Sequence, residues 1–431
     1  MTEEEYNILN IPIYEWNEDD IYLLINQIHE LVEISFDNNY KNFYSHGYKQ
    51  LINTDVTNYL VELWELETTE QEFISDLIKN ISDEHLEYIA EDKYVHKYIE
   101  YTPPTNISEI LNYLKSKPQP EQKTQEWYDK RHNMITASNL WKVFKSESSL
   151  NSIIYDKCKP QSSPPKYYGG PMEWGNKYEP VSIMVYEDIY NTTIDDFGCI
   201  THDTYDFIGA SPDGINVDSN SKLFGRMLEI KNIFNREITG IPKEEYWVQM
   251  QVQMETCKLD YCDFFETRFK EYEEKEFHQD NQHTYKGVLL HFSVIENRTY
   301  IPKYVYYPVK SNLDKDSIQQ WIHQQVQIHT DKNLFKIIYY YLEEQSCVVI
   351  KRNKKWFETV KNDVEKTWNT ILKERIDGYE HRCAKPRSRS NSVTVTNAED
   401  HTKVFHNLSN NNNNVCLIRL NENGQSIPVS V

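Results

Sequence analysis

The pattern of apolar positions divides the chain into a helical first part and a second part in which strands and helices alternate. Over residues 1–118 apolar side chains recur every three to four positions, which is the spacing of one buried face of an amphipathic helix. The clearest run is Asp20–Ile34, and similar runs occupy Val56–Leu66 and Glu72–Ile81. The pattern therefore predicts an all-helical accessory domain over residues 1–118.

Residues 119–380 show short apolar segments separated by polar turns, and this pattern favours an α/β domain. The predicted strands are Gly198–His202, Phe207–Ser211, Ile215–Val217, Met227–Lys231, Tyr261–Phe269, Gly287–Ile295 and Ile301–Pro308. The predicted helices are Asn139–Phe144, Val181–Tyr190, Lys243–Lys258, Asp314–His329 and Trp356–Ile376, with a charged loop at Lys270–His283. Residues 381–431 carry basic residues among serines and an asparagine run, which predicts a disordered tail.

Charge and cysteine usage limit the class of protein. A net charge of −21 argues against a protein that coats nucleic acid, although a locally basic groove remains compatible with it. The seven cysteines form no CxxC pair, so neither a zinc ribbon nor a disulfide framework is expected. The acidic N-terminus does not resemble a signal peptide, and no apolar run reaches the roughly 20 residues of a membrane helix. These features predict a soluble, intracellular protein.

The stretch Gly209–Lys231 carries the strongest candidate chemistry. Asp213 sits in a Ser-Pro-Asp-Gly turn at the end of one short strand, and the next strand carries Glu229 and Lys231. Because side chains alternate along a strand, Glu229 and Lys231 share one face while Leu228 and Ile230 occupy the other. Two carboxylates and an amine on one side of a sheet are able to hold a divalent metal and a water beside a phosphodiester.

Other candidates are weaker when each is taken alone. Ser138 is predicted to cap a helix, whose N-terminus together with Arg131 would attract a phosphate. Glu179 precedes Pro180 at the predicted start of a helix, where a first-turn glutamate is common. Tyr246, Gln249 and Gln253 recur at three- and four-residue spacing and therefore share one helix face. That face is either exposed or directed at a wet site.

Taken together, these motifs resemble the lambda exonuclease family, also called YqaJ-like viral recombinases, and the alkaline nucleases of large DNA viruses. The resemblance covers roughly residues 124–310. The elements that carry it, in the family's order, are Arg131 with Ile135–Ser138, Trp174-Gly175 with Glu179-Pro180, Ser211–Gly214, Leu228–Lys231, and Tyr246 with Gln249–Gln251. It implies a restriction-endonuclease-like core, in which helices flank a central mixed β-sheet.

The resemblance also implies a role for each of these residues. Asp213 and Glu229, with the main-chain carbonyl of Ile230, would bind Mg²⁺ or Mn²⁺, and Glu179 would complete a second metal position. Lys231 would orient or deprotonate the attacking water. The 5′-terminal phosphate of DNA would be bound by a further set of four side chains, namely Arg131, Ser138, Ser211 and Gln249.

The implied activity is a metal-dependent exonuclease that degrades one strand of double-stranded DNA from its 5′ end. It would leave 3′ overhangs for viral recombination, repair or genome processing, and a single-strand annealing protein would be a partner. Three alternatives remain open: an endonuclease of the same fold, a ribonuclease of the same fold, and a non-catalytic protein that binds DNA ends or serves as an assembly scaffold. Both a monomer and a ring trimer are compatible with the family. The protein is expected to be virus-encoded and to act in the host cytoplasm or nucleus.

Overall fold

The computed structural model describes residues 16–63, 68–90, 92–95, 101–122, 124–160, 170–296 and 299–384, and four short strands beyond them. Residues Met1–Arg382 form one compact unit and Cys383–Val431 form another. In the second unit, Val395–Asn397 pairs with Lys403–Phe405, and Arg419–Leu420 pairs with Ser426–Ile427. Most of the segment predicted to be a disordered tail lies outside the described residues, as does the Ser/Pro-rich segment 161–169.

The N-terminal region is helical, as predicted. Its helices are α1 (Glu18–Asn38), α2 (Tyr48–Leu63), α3 (Thr68–Ile89) and α4 (Ile107–Ser116). Helix α1 begins with a capping box: the Asn17 side chain accepts from the Asp20 N–H at 3.1 Å, and the Asp20 carboxylate accepts from the Asn17 N–H at 2.9 Å. The apolar face of α1 then buries Leu24, Ile28 and Val32.

The remainder of the first unit mixes helices and strands. The strands are β1 (Ile135–Thr136), β2 (Ile194–Asp195), β3 (Ile200–Thr201), β4 (Ile208–Ala210), β5 (Gly214–Asn216), β6 (Met227–Asn232), β7 (Tyr261–Tyr272), β8 (Lys286–Glu296), β9 (Thr299–Tyr306) and β10 (Asn333–Lys351). The helices are α5 (Gln125–His132), α6 (Ala137–Leu140), α7 (Lys142–Lys145), α8 (Glu147–Cys158), α9 (Gly170–Tyr190), α10 (Glu244–Cys257), α11 (Glu274–Gln279), α12 (Lys315–Ile328) and α13 (Lys354–Asp377).

Seven of these strands form the central sheet in the order β2-β5-β6-β7-β10-β8-β9. Strands β6 and β7 are parallel, with α10 as the crossover between them, and the other neighbours are antiparallel. A smaller sheet has the order β1-β4-β3. The predicted α/β fold, a central mixed sheet flanked by helices behind a helical N-terminal region, is confirmed.

Strand β6 separates two apolar clusters. Leu228 and Ile230 pack in a cluster with residues of α9 such as Val185. Met227 belongs to a larger cluster with α10, for example Val252. The N-terminal helices share that larger cluster, and the Phe43 ring lies 5.8 Å from the ring of Trp247 on α10. The domain boundary between residues 118 and 119 stays a prediction.

Several predicted elements differ from the structure. The predicted helix Asn139–Phe144 is broken into α6 and α7. Ser138 lies inside α6 and Thr136 is the residue at its N-cap, so the predicted capping role of Ser138 is wrong. The predicted loop Lys270–His283 contains the end of β7 and the helix α11. The 19-residue strand β10 was not predicted.

Helix α9 begins at Gly170, about ten residues earlier than predicted, so Glu179 and Pro180 lie in its interior rather than at its first turn. A proline inside a helix removes one main-chain hydrogen bond. Glu179 is therefore not a first-turn glutamate that satisfies a helix dipole, and its position needs a different explanation.

Candidate active site

The Asp213 carboxylate binds the main chain of β6 just beyond the point at which β5 stops pairing with that strand. Strands β5 and β6 pair as far as Gly214 and Leu228, and beyond that point the Asp213 carboxylate accepts the Ile230 N–H at 2.7 Å. The N–H and C=O of one strand residue point to the same side, so the Ile230 carbonyl also faces the Asp213 side. Residue 214 must be glycine, because a Cβ there would lie 2.1 Å from the Ile194 side chain.

Glu229 is fully buried and accepts hydrogen bonds from three side chains. Its Oε1 accepts from Lys231 Nζ and, at 2.7 Å, from Gln249 Nε2, while its Oε2 accepts from Gln253 Nε2 at 2.8 Å. The Lys231 ammonium also lies 5.0 Å from the centre of the Tyr246 ring. The polar face of α10 is thus directed at the two charged residues of β6 and not at solvent.

The carboxylates of this region influence one another. Partial burial of Asp213 and the nearby negative charges of Glu229 and Glu179 raise its pKa well above the usual value, against the opposing effect of Lys231. Burial lowers the pKa of Lys231, but the stronger combined attraction of Glu229 and Asp213 leaves it above its ordinary value. The region therefore has more negative charge than its own lysine balances.

A cleft of about 220 Å³ contains Asp213 and Glu179 together with the predicted phosphate-binding side chains. Its walls are formed by Gln122, Trp127, Arg131, Thr136, Ala137, Ser138, Glu179, Asp196, Ser211, Pro212, Asp213, Gln249 and Gln253. The Arg131 guanidinium is 3.5 Å from the Ser211 hydroxyl and lies 4.5 Å from the Trp127 ring. One cleft thus contains an arginine and serine hydroxyls together with two of the predicted metal-binding carboxylates.

Two of the predicted phosphate-binding residues make other contacts in this structure. The Ser138 hydroxyl is 3.3 Å from the hydroxyl of Thr136, and the side-chain amide of Gln249 donates a hydrogen bond to the Glu229 carboxylate. Among the cleft residues that sequence reasoning left out of the candidate site are Gln253 and Trp127. Gln253 was recognised only as part of a helix face, and Trp127 was not singled out. The i,i+4 spacing from Gln249 was the available signal for Gln253.

The donor atoms fit a hard divalent cation, even though no ready-made cluster surrounds one. Among the described residues, no group of three or more His, Cys, Asp or Glu side chains is arranged to hold a metal ion. The Asp213 carboxylate, the Glu229 carboxylate and the Ile230 carbonyl are nevertheless the oxygen donors that Mg²⁺ and Mn²⁺ prefer. Burial is the main cause of the raised pKa of Asp213, and the negative charges of Glu229 and Glu179 add to it, so a cation bound beside these carboxylates would favour the charged form of Asp213.

Comparison with known proteins identifies the segment that contains this cleft. Residues 126–260 match the family model of the YqaJ-like viral recombinase domain. This segment is a YqaJ-like domain. It includes every predicted site residue from Arg131 to Gln249, and the resemblance drawn from the motifs is confirmed. No helix in the described part of the chain has the length and apolar character to cross a membrane.

The individual proteins that the chain resembles share 30% or less of its sequence. An uncharacterised protein of Acanthamoeba polyphaga mimivirus is 30% identical over 336 residues, which is 69% of this chain and 59% of that protein. The chain thus spans about three fifths of the length of that relative. The crystal structure of an alkaline exonuclease from Laribacter hongkongensis has a TM-score of 0.34 and 19% identity, covering 60% of this chain and 95% of that one. A phage-related exonuclease from Haemophilus somnus 129PT has a TM-score of 0.33 and 14% identity, covering 56% and 94%.

Proposed function

We propose that the YqaJ-like domain is a metal-dependent nuclease that hydrolyses DNA from the 5′ end of a duplex. The observation that carries this proposal is that the Asp213 carboxylate bonds the main chain of β6 at Ile230, between Glu229 and Lys231, in a cleft that also contains Arg131. Carboxylates beside a cationic subsite suit hydrolysis of a phosphodiester, because the reaction needs a cation at the scissile phosphate and a second contact that positions the strand.

Asp213, Glu229 and the carbonyl of Ile230 would hold Mg²⁺ or Mn²⁺, and Glu179 would support a second ion. When bound, such ions polarise the phosphate and stabilise charge on the attacking and leaving oxygens. The chain's own contribution is to fix the oxygen donors: the Ile230 N–H holds Asp213, while Gln249 and Gln253 hold Glu229. Pre-set donors reduce the reorganisation needed at the moment of reaction.

Lys231 would position the attacking water by hydrogen bonding. In this structure its ammonium is paired with Glu229 and lies against the Tyr246 ring. If Glu229 were engaged by a cation, Lys231 would have N–H donors available for a water or a phosphate oxygen. Tyr246 keeps the ammonium on the side of the sheet where the carboxylates lie.

Arg131 and Ser211 would bind the terminal 5′ phosphate, which sets the direction of digestion. The two side chains already lie 3.5 Å apart at one end of the cleft, so an anion placed between them would gain a charge-assisted contact and a hydroxyl contact. Ser138 and Gln249 line the same cleft and would complete the set after a change in their present hydrogen bonds. Digestion from that end leaves a 3′ overhang, the substrate of a strand-annealing protein in viral recombination.

The decisive experiment is a time course on linear duplex DNA labelled at either 5′ or 3′ ends, in Mg²⁺ or in EDTA. We expect metal-dependent release of mononucleotides from the 5′ ends and none in EDTA. Asp213→Asn, which keeps the size of the side chain, should abolish release but retain DNA binding. Digestion of circular DNA or of RNA at the same rate would support the endonuclease or ribonuclease alternative instead. Binding without any cleavage would support the non-catalytic alternative.

A further inference from the structure

A pair of aromatic rings, one exposed and one half-buried, lies where β6 ends. Phe234 is 48% exposed, and its ring centre is 5.2 Å from that of Trp174 at an interplanar angle of 69°. Trp174 in turn packs at 4.6 Å on Tyr178, which is fully buried. We call Trp174 and Phe234 the aromatic platform. Because it is anchored on a core residue, it presents a fixed apolar surface and not a mobile side chain.

The platform borders the candidate active site along two elements. Phe234 follows Lys231 by three residues, and the intervening Asn232 donates to the carbonyl of Gly175 at 3.2 Å, which joins the end of β6 to α9. Trp174 precedes Glu179 by five residues on α9, which corresponds to roughly 7.5 Å along a helix axis. The platform is thus connected through both β6 and α9 to residues that are proposed to bind metal.

The surroundings of the platform suit a nucleobase. It lines a recess of about 240 Å³ that also contains Lys177 and Lys336. Lys177 Nζ lies 4.5 Å from the centre of the Trp174 ring, and the Lys336 side chain is 58% exposed. The indole N–H of Trp174 is buried and has no acceptor among the described residues. An exposed ring beside lysines is the kind of surface that proteins use to bind single strands without regard to sequence.

The electrostatic contribution of this recess is small. Glu271 pairs with Lys177 at 2.5 Å and lies 3.7 Å from Lys336, and Glu173 lines the same recess. The two carboxylates offset the two ammonium groups, so attraction for the phosphate backbone is weak here. An isolated exposed phenylalanine is common on protein surfaces. The Phe234 ring, by contrast, packs on Trp174 and borders the recess, and ordinary surface exposure does not account for this arrangement.

We propose that the aromatic platform stacks the unpaired bases of single-stranded DNA next to the site of cleavage. The inference rests on the proposed nuclease function and extends it, because it assigns a binding surface to the strand that the duplex exposes when it is processed. Stacking and not charge supplies the affinity, so binding at the platform depends little on salt and little on sequence.

Binding measured in EDTA tests the platform without any cleavage. Fluorescence anisotropy would compare the full chain on a blunt duplex and on the same duplex with a single-stranded 3′ extension of about ten nucleotides. Base–aromatic stacking is worth about 1–3 kcal/mol, so Phe234→Ala should weaken binding of the extended duplex by roughly 5- to 140-fold. The blunt duplex should bind as before, and Phe234→Trp should retain the affinity. Tyr88→Ala, which removes an aromatic side chain that is 87% exposed on α3, is the matched control.

Two results would contradict the proposal that the aromatic platform stacks unpaired bases. One is unchanged affinity of Phe234→Ala for the extended duplex, and the other is an equal loss on both duplexes, which would indicate damage to the fold. These failures are distinct from failure of the nuclease proposal. A wild-type protein that digests DNA while Phe234→Ala binds normally refutes the platform alone, whereas a wild-type protein that never cleaves DNA refutes the function.

Discussion

The side-chain amide of Gln253 donates to the carboxylate of Glu229, with 2.8 Å between Nε2 and Oε2. The same nitrogen lies 3.1 Å from the main-chain carbonyl of Ser211. Gln253 and Glu229 are both fully buried. One amide on α10 therefore links Glu229 on β6 to the segment that carries Asp213, and the spacing of the two acidic residues depends on the helix as well as on the sheet.

Replacing Gln253 with leucine should destabilise the protein. The substitution keeps the approximate volume but removes one donor from a buried carboxylate, which costs about 1–3 kcal/mol. Urea unfolding at pH 7 measures the change, and nuclease activity should fall as well because Glu229 loses its fixed position. Gln324→Leu, at an exposed position of α12, serves as the control and should leave both properties unchanged. Equal stability of the two variants would contradict this role of Gln253.

Lys231 and Lys243 offer a matched pair for testing the proposed water-positioning role. Both ammonium groups lie over the Tyr246 ring, at 5.0 Å and 5.8 Å from its centre, but only Lys231 contacts Glu229. Lys231→Ala should reduce the cleavage rate by about 100-fold or more, which is the usual contribution of a positioned proton-transfer or electrostatic group. Binding of DNA should persist. Lys243→Ala should cleave at close to the normal rate, and similar losses in both variants would count against a specific role for Lys231.

Arg131 should determine the preference for phosphorylated 5′ ends. Loss of a charge-assisted hydrogen bond costs about 1.5–3 kcal/mol, so Arg131→Ala should reduce the rate ratio of phosphorylated to hydroxyl ends by about tenfold or more. The neighbouring Lys130 is the control, because its ammonium donates to the carbonyls of Pro118 and Cys199. Lys130→Ala should keep the preference. An unmutated protein with equal rates on both ends would remove the basis for a phosphate site.

Glu244 joins the N-terminal helical region to α10 and gives a pH dependence of stability. Its carboxylate accepts from the Ser45 hydroxyl and the His46 N–H at 2.9 Å and pairs with Lys145 at 3.0 Å. Burial acts to raise its pKa, but these contacts together lower it to about 2. The unfolded chain binds the proton more tightly, so the stabilisation is complete above about pH 4.5 and is lost as the pH falls towards 2.

Glu244→Gln should therefore reduce stability at pH 7 by about 1–2 kcal/mol, after allowance for solvent screening at this partly exposed position. Urea unfolding at pH 7, 5, 4 and 3 should show the difference between the two proteins shrinking as the solution becomes more acidic. A difference that stays constant over this series would show that the contribution is not electrostatic. Glu245→Gln, at the next position of the same helix, is the control variant.

Local periodicity predicted which residues of the site share a face, but it did not predict the hydrogen bonds that connect them. Alternation along β6 placed Glu229 and Lys231 on one face, and the i,i+4 spacing placed Gln249 and Gln253 on one face of α10. That these two faces meet is a tertiary fact: the crossover from β6 to β7 through α10 lays the helix over the strand. No local sequence pattern predicts that a side-chain amide of one element donates a hydrogen bond to the carboxylate of another.

The wrong predictions have equally local causes. Ser138 has the residue type of a helix cap, but the N-cap lies two residues earlier, at Thr136, so Ser138 falls inside α6. Pro180 has the residue type of a helix start, yet α9 accommodates it internally. Strand β10 joins an apolar run, Ile337–Leu342, to a polar stretch, Glu343–Ser346, and it contains a β-bulge between Leu342 and Glu344. The bulge interrupts the two-residue period that identifies a strand.

Divalent metal should stabilise the protein in the absence of DNA, because the negative charges of Glu229 and Glu179 act on the buried carboxylate of Asp213 and a cation would offset this repulsion. A ligand that binds only the folded state adds about 2.7 kcal/mol at 100 times its dissociation constant. Thermal unfolding with and without Mn²⁺ measures this effect independently of any activity. We expect the midpoint to rise in the wild type and to rise far less in Asp213→Asn, which lacks the charged ligand. Asp218→Asn, in the turn between β5 and β6, controls for nonspecific binding to an acidic chain and should respond like the wild type. A rise of equal size in wild type and Asp213→Asn would place the metal elsewhere on the protein.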